Sequence, residues 1–200
     1  MDIVLNTTFL NALLPTVPLF GFADNFNRAD ASTLGVTSGE AKAWTIYGTG
    51  AVWSIASNRA GLTALTGSSA IAYVDGASAD GTLKATLAVA GTQKAVGLSL
   101  RGTDLTNQYY LGRESGSVLK WTLYKRVAGT VTSLGNSGVN IADGDVVEAV
   151  MSGNSIIIKI NGASVISATD STFNTKTLHG FYGSSVSLDA KWDDISFVAA

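Results

Sequence analysis

The chain has 200 residues, 46% of them hydrophobic and 14% charged, with 22 Gly, 2 Pro, no Cys and 1 His. That length and apolar content suffice for one domain with its own core, and they exclude a disordered chain, a coiled coil and a disulfide scaffold. The formal charge of -2, with Lys and Arg dispersed along the chain, provides no basic field for nucleic acid, and the lack of cysteine excludes thiol catalysis, thiolate-bound zinc and iron–sulfur ligation.

Residues 1–22 differ from the rest. Pro15 and Pro18 lie here among Leu5, Phe9, Leu10, Leu13, Leu14, Val17, Leu19, Phe20 and Phe22. Asp2 stands where a secretory leader would carry Lys or Arg, and Asn6, Thr7, Thr8, Asn11 and the prolines interrupt the apolar run. The segment therefore reads neither as a leader nor as a membrane span. Exposed apolar surface of this size tends to be covered. We expect a docking arm, with Leu5, Phe9, Leu13, Leu14, Val17, Leu19 and Phe20 as contact residues, followed by a domain over 23–200.

From Asp24 onward, short alternating apolar and polar runs are separated by Gly, Asn, Asp and Ser, the pattern of half-buried strands. They predict strands at 44–48, 52–56, 61–65, 70–74, 83–90, 96–101, 109–113, 118–127, 131–134, 146–151, 156–160, 164–168, 178–182 and 188–198. Asn161-Gly162 is predicted to join two of them, because both residue types accept the positive φ of a two-residue type I′ turn. So many short strands imply an all-β, two-sheet antiparallel sandwich or jelly roll. A short helix at 32–34 or 170–174 stays open as an alternative.

Alternation assigns faces. Leu83, Ala85, Leu87, Val89, Val96, Leu98, Leu100, Tyr109, Leu111, Leu119, Trp121 and Leu123 are expected to face the core. A plain meander would then place Lys84, Thr86, Ser99, Arg101, Tyr110, Lys120, Thr122, Tyr124 and Arg126 on the opposite side of one sheet. Such a face suits a sugar or a partner, since tyrosine offers a ring and a hydroxyl and arginine a fixed fork of donors. The plainer reading is a solvated sheet face. Arg101, Tyr110 and Tyr124 are the candidate ligand-binding residues. In the last strand, Leu188, Ala190 and Trp192 share one parity and Ile195 and Phe197 the other, which a β-bulge at Asp193-Asp194 would reconcile. Two adjacent carboxylates could instead contribute to a Ca²⁺ site, but too few oxygen ligands are visible locally.

Catalytic groups are sparse. Glu40, Glu114 and Glu148 are the only glutamates, and none sits in a paired-carboxylate motif. There is no G-x-S-x-G elbow, phosphate loop, H-E-x-x-H or EF-hand loop, so no catalytic residue, metal site or cofactor is expected. His179, beside Leu178, Gly180 and Phe181, reads as a strand-end residue.

One stretch carries a resemblance. Asp24-Asn25-Phe26-Asn27-Arg28-Ala29-Asp30, then Leu34-Gly35, Trp44, Trp53-Ser54-Ile55, Asn58 and Ala60, resembles the opening of the laminin-G/concanavalin-like jelly-roll domains of bacteriophage minor tail and other virion proteins. Trp192-Asp193-Asp194-Ile195-Ser196-Phe197 resembles their closing strand, so the likeness spans 24–198. It implies first and last strands side by side, structural roles near that junction for Asp24, Phe26, Arg28 and Asp30, and an Arg28 pairing with Asp193 or Asp194. It also implies a non-enzymatic virion structural protein, tail-associated or capsid-decorating, assembled in the host cytoplasm. The arm would attach it to other virion proteins or to its own homo-oligomer, a trimer among the options. The alternative is a lectin-like module binding host surface glycans, and a glycan hydrolase is the third reading.

Overall fold

The computed structural model describes residues 21–113 and 119–200. They form two antiparallel sheets packed around one core, and no helix occurs among them. One sheet contains β1 (Gly21–Asp24), β3 (Val52–Ala56), β4 (Arg59–Ala64), β6 (Gly81–Val89), β11 (Asp145–Ser152), β12 (Ser155–Ile160), β13 (Ala163–Thr169) and β15 (Lys191–Ala199). The other contains β2 (Thr45–Tyr47), β5 (Ser69–Asp75), β7 (Val96–Asp104), β8 (Asn107–Arg113), β9 (Lys120–Val127), β10 (Thr130–Asn140) and β14 (Leu178–Ser184). The first sheet runs β13-β12-β11-β6-β15-β4-β3, with β1 also on β15, and the second β10-β9-β8-β7-β14-β5-β2.

The expected sandwich is present. The two segments left open as helices, 32–34 and 170–174, are bends and turns. Asn161 and Gly162 take φ of 52° and 83° at the β12–β13 turn, as a type I′ hairpin requires. Asp194 has φ 50° and the β15–β6 register shifts on either side of Asp193, so a bulge lets Trp192, Ile195 and Phe197 all reach the core. Trp121 is fully buried, as its parity required, and its Nε1 donates to Asp145 Oδ2 at 2.9 Å.

Two expectations fail for topological reasons. Strands β6 and β7 do not form a meander: residues 90–95 carry the chain from one sheet to the other, with Gly91 at φ 73° and Lys94 at 51°. Lys84 and Thr86 therefore sit on the other sheet, where Lys84 pairs with Glu148 at 3.2 Å. The division at residue 22 also shifts, because Gly21 and Phe22 belong to β1 and Phe22 is buried against Phe197 and Trp44. The expected arm contacts Leu5, Phe9, Leu13, Leu14, Val17, Leu19 and Phe20 lie outside the described residues.

β1 pairs with β15 from Gly21↔Val198 to Asp24↔Ile195, so the first and last strands lie side by side. At the end of β1 the Asp24 side chain has no exposed surface. Its Oδ1 accepts from Arg28 Nη1 at 2.6 Å and Phe26 N at 3.1 Å, and its Oδ2 from Arg28 Nη2 and Trp44 Nε1, both at 2.9 Å. The partner of Arg28 is thus Asp24, while Asp193 lies 3.9 Å from Arg59. Arg28 is four residues from Asp24, and its fork meets both carboxylate oxygens. Asp30 accepts from Ser57 N at 2.8 Å, fixing the turn after β3.

Removing one partner of a buried ion pair costs roughly 3–5 kcal/mol. The 30% exposure of the Arg28 side chain moves the expectation to the lower end. At about 2–4 °C per kcal/mol for a domain of this size, Asp24→Ala should lower Tm by on the order of 10 °C. Differential scanning calorimetry giving an unchanged Tm would contradict this role.

A second buried polar cluster closes one end of the sandwich. The backbone N–H of Arg101 donates to His179 Nδ1 at 3.3 Å, His179 Nε2 donates to Ser78 O at 3.0 Å, and the ring stacks on Phe197 at 4.2 Å. Burial pushes the imidazole pKa down to about 4, assisted by the Arg101 charge and opposed by the Ser78 hydrogen bond. The unfolded chain thus binds a proton that the folded chain refuses between pH ~6.5 and about 4. Stability from this group is complete above that window and falls as pH drops through it, by on the order of 3 kcal/mol. Melts from pH 7 to 4 should show this slope, and His179→Gln should flatten it; an identical slope in the variant would refute the assignment.

Candidate ligand-binding face

The outer face of the second sheet is polar and aromatic, yet much of it is not solvated. Cross-strand partners place Ser133, Tyr124, Tyr110, Ser99, Gly180 and Tyr73 in register from β10 to β5. Tyr73, Ser99 and Gln108 are fully buried there, with Ser99 Oγ donating to the Tyr73 hydroxyl at 2.7 Å and Tyr73 to Gln108 Oε1 at 3.2 Å. Burial raises the Tyr73 pKa, opposed by the Ser99 hydrogen bond, so the hydroxyl stays protonated.

Beside this network, three tyrosines stack. Tyr110 lies 5.0 Å from Tyr124 and 4.5 Å from Tyr182, centroid to centroid, at interplanar angles of 21° and 26°. The Tyr110–Tyr124 spacing follows from the sheet, because β8 and β9 are neighbours and cross-strand partners inherit the ~4.8 Å strand separation. Tyr182 on β14 instead leans to Tyr110 across β7, where its register partner is the side-chain-free Gly97. Tyr110 is the middle ring and only 6% exposed, whereas Tyr124 and Tyr182 are partly exposed. Burial moves the Tyr110 hydroxyl up to about 12 and also raises Tyr182, so both remain neutral donors at any physiological pH. The Arg126 guanidinium packs 5.3 Å from the Tyr110 ring centroid, a cation–π contact.

The stack forms the floor of an open depression of about 390 Å³, completed by Gly112, Arg113, Ser133, Ser184, Val131 and Val186. Gly112 matters for its shape: a Cβ there would lie 3.5 Å from Tyr110 ring carbons and 3.8 Å from Tyr182 Cε1. Those are ordinary contacts, so the missing side chain leaves space without being demanded by the backbone. Val131 and Val186 supply an exposed apolar rim, at 43% and 50%. The described lining residues include no carboxylate.

Tyr110 and Tyr124 are therefore brought together, and Arg101 is not with them. A β-bulge with Arg101 at φ 45° breaks the β7 alternation. The guanidinium turns into the sandwich end, donating from Nε to Ala79 O, from Nη1 to Gly153 O and from Nη2 to Asp80 Oδ1, all at 2.8–2.9 Å. Arg101 is fully buried and structural. Tyr182 and Arg113, which sequence reasoning missed, take its place. Tyr182 follows the core residue Phe181 on β14, so alternation could have assigned it outward, but only topology brings β14 beside β7.

Two further depressions are present. One, of about 330 Å³, is lined by Asn25, Ser38, Lys84, Thr86 and Asp194 on the first sheet. The Asp194 carboxyl is raised by burial and by neighbouring Asp193. The other lies where Trp44, Ile46, Val52 and Trp53 meet between edge strands β2 and β3. No group of three or more His, Asp or Glu that could hold a metal ion gathers among the described residues.

Neither a protein-family profile nor the sequence of a curated protein matches the chain. Solved structures do. A prokaryotic β-1,3-1,4-glucanase (lichenase) from a mouse hindgut metagenome is similar at TM-score 0.60 and 10% identity, covering 91% of this chain and 100% of its own. Domain 4 of AbnA, a GH43 extracellular arabinanase from Geobacillus stearothermophilus in complex with arabinotriose, is similar at 0.53 and 14%, covering 90% and 94%. The carbohydrate-binding module CBM66 of Bacillus subtilis is similar at 0.50 and 15%, covering 88% and 92%. At such identities the likeness defines the fold: a concanavalin/galectin-like jelly-roll sandwich.

Proposed function

We propose that this domain is a non-catalytic, lectin-like glycan-binding module and that the tyrosine-floored depression is its saccharide site. The observation that carries the reading is the Tyr124-Tyr110-Tyr182 stack beneath an open depression large enough for a sugar residue or two. The tyrosine rings offer apolar surface for sugar C–H groups. Tyr124 and Tyr182 make the contacts, and Tyr110 holds their spacing. Several structural neighbours carry carbohydrate-binding names, CBM66 and the arabinotriose-bound AbnA domain among them, which supports the same reading. Binding is favoured over hydrolysis because a glycosidase needs two carboxyl groups across the scissile bond, and the described lining residues supply none.

A glycan array followed by titration calorimetry tests this. An aromatic contact is worth about 0.5–1.5 kcal/mol, so Tyr124→Ala or Tyr182→Ala should weaken saccharide binding by roughly 3- to 10-fold. Gly112→Thr should fill the depression and abolish binding while leaving Tm near that of the wild type, and bound oligosaccharide should be recovered intact. An empty array, or affinity indifferent to all three changes, would overturn the proposal.

The virion reading rests on the sequence resemblance. The residues carrying that likeness, Asp24, Phe26, Arg28 and Trp44, serve closure of the sandwich, so they speak to the fold rather than to assembly. An adhesin mounted on a bacteriophage particle through residues 1–20 unites the two readings. A chain lacking residues 1–20 should then retain its melting transition and fail to enter particles; full incorporation would refute attachment through the arm.

A further inference from the structure

Resting on the glycan-binding reading, we infer that the ligand of the tyrosine depression is an acidic saccharide, one whose sugar carboxylate is taken by Arg113 with Arg126 reinforcing the field from beside the tyrosines. Arg113 lines the depression and makes a single hydrogen bond among the described residues, from Nη1 to Gln93 O at 3.0 Å. A guanidinium fork at this place on the rim has the geometry that receives a carboxylate through two parallel bonds. Arg126 sits against Tyr110, and its cross-strand partner Val131 lines the same depression.

No ion pair among the described residues neutralises these two charges. The five ion pairs among the described residues use Arg28, Arg59, Lys84, Arg101 and Lys125. Arg126 Nη1 makes long hydrogen bonds to Ser69 Oγ at 3.3 Å and Leu105 O at 3.2 Å, while its buried Nε has no acceptor among the described residues. A buried donor with no acceptor, on a cation with no ion-pair partner among the described residues, costs stability. Arg113 in the lining, with no described carboxylate beside it, and Arg126 against the Tyr110 ring create a local positive potential on a chain of net charge -2. A neutral saccharide would cover the ring surface and leave that potential unused, whereas a uronic or sialic acid residue uses both.

The test is titration calorimetry of the full chain against a panel of uronic-acid and sialylated oligosaccharides and the same oligosaccharides after carboxyl reduction, with oligoglutamate as an acidic control. A carboxylate on a paired guanidinium should give the acidic form an advantage of about 10-fold or more, shrinking as salt rises from 0.05 to 0.5 M. Arg113→Gln, a change on the rim that leaves the tyrosine stack in place, should abolish that preference without lowering Tm. Equal affinity for acidic and reduced forms, or a preference that survives Arg113→Gln, would overturn the acidic class and leave the glycan-binding reading standing. Equal affinity for oligoglutamate would overturn the saccharide part of the inference. If no saccharide of either form binds, both readings fall.

Discussion

Asp24 is the residue on which the remainder of the molecule depends. Its carboxylate is wholly enclosed and receives four hydrogen bonds, from Arg28 twice, from Phe26 N and from Trp44 Nε1. The first and last described strands meet here, since β1 ends at Asp24 and pairs there with Ile195 of β15. A buried carboxylate is tolerable only when its lone pairs are filled, so Trp44 has little freedom to stand elsewhere. That indole then stacks on Phe181 at 5.5 Å, and Phe181 packs on Trp53 and Trp192 at 5.8 and 5.2 Å.

The same strand carries this constraint to the outside. Phe181 and Tyr182 are consecutive on β14, and alternation turns one into the core and the other out. Locking Phe181 among tryptophans therefore fixes the height and register of Tyr182, against which Tyr110 and then Tyr124 stack. A stiff core and a preorganised surface are in this sense one arrangement. Preorganisation matters for a saccharide site because aromatic residues ordered before binding lose little entropy when the ligand arrives. The buried Tyr73-Ser99-Gln108 network on the same face adds to this rigidity.

Local pattern revealed what depends on local pattern. Alternation put Trp121 and Tyr109 inside, parity located the Asp193-Asp194 bulge, and Asn161-Gly162 disclosed its hairpin because each signal is settled within a few residues. The passage from β6 to β7 was invisible, since a short loop between strands reads alike whether it turns back in one sheet or crosses to the other. Arg101 was misplaced because a positive φ and a bulge reversed the parity that assigned it outward. The site was half legible: Tyr110 and Tyr124 lie on adjacent strands of a true meander, while Tyr182 joins them through strand order between β7 and β5. Arg28 was correctly set at the β1–β15 junction but given a remote partner, when the nearer Asp24 already offered both oxygens.

The tyrosine stack as a preorganised saccharide floor is the central claim, and a crystal structure of the full chain with a bound oligosaccharide tests it most directly. The account predicts a sugar ring within about 4 Å of Tyr124 and Tyr182 ring carbons, with both tyrosines in the positions described above. Saccharide seated instead at the Lys84-Asp194 depression or at the Trp44-Trp53 edge, with the tyrosine floor empty, would contradict it.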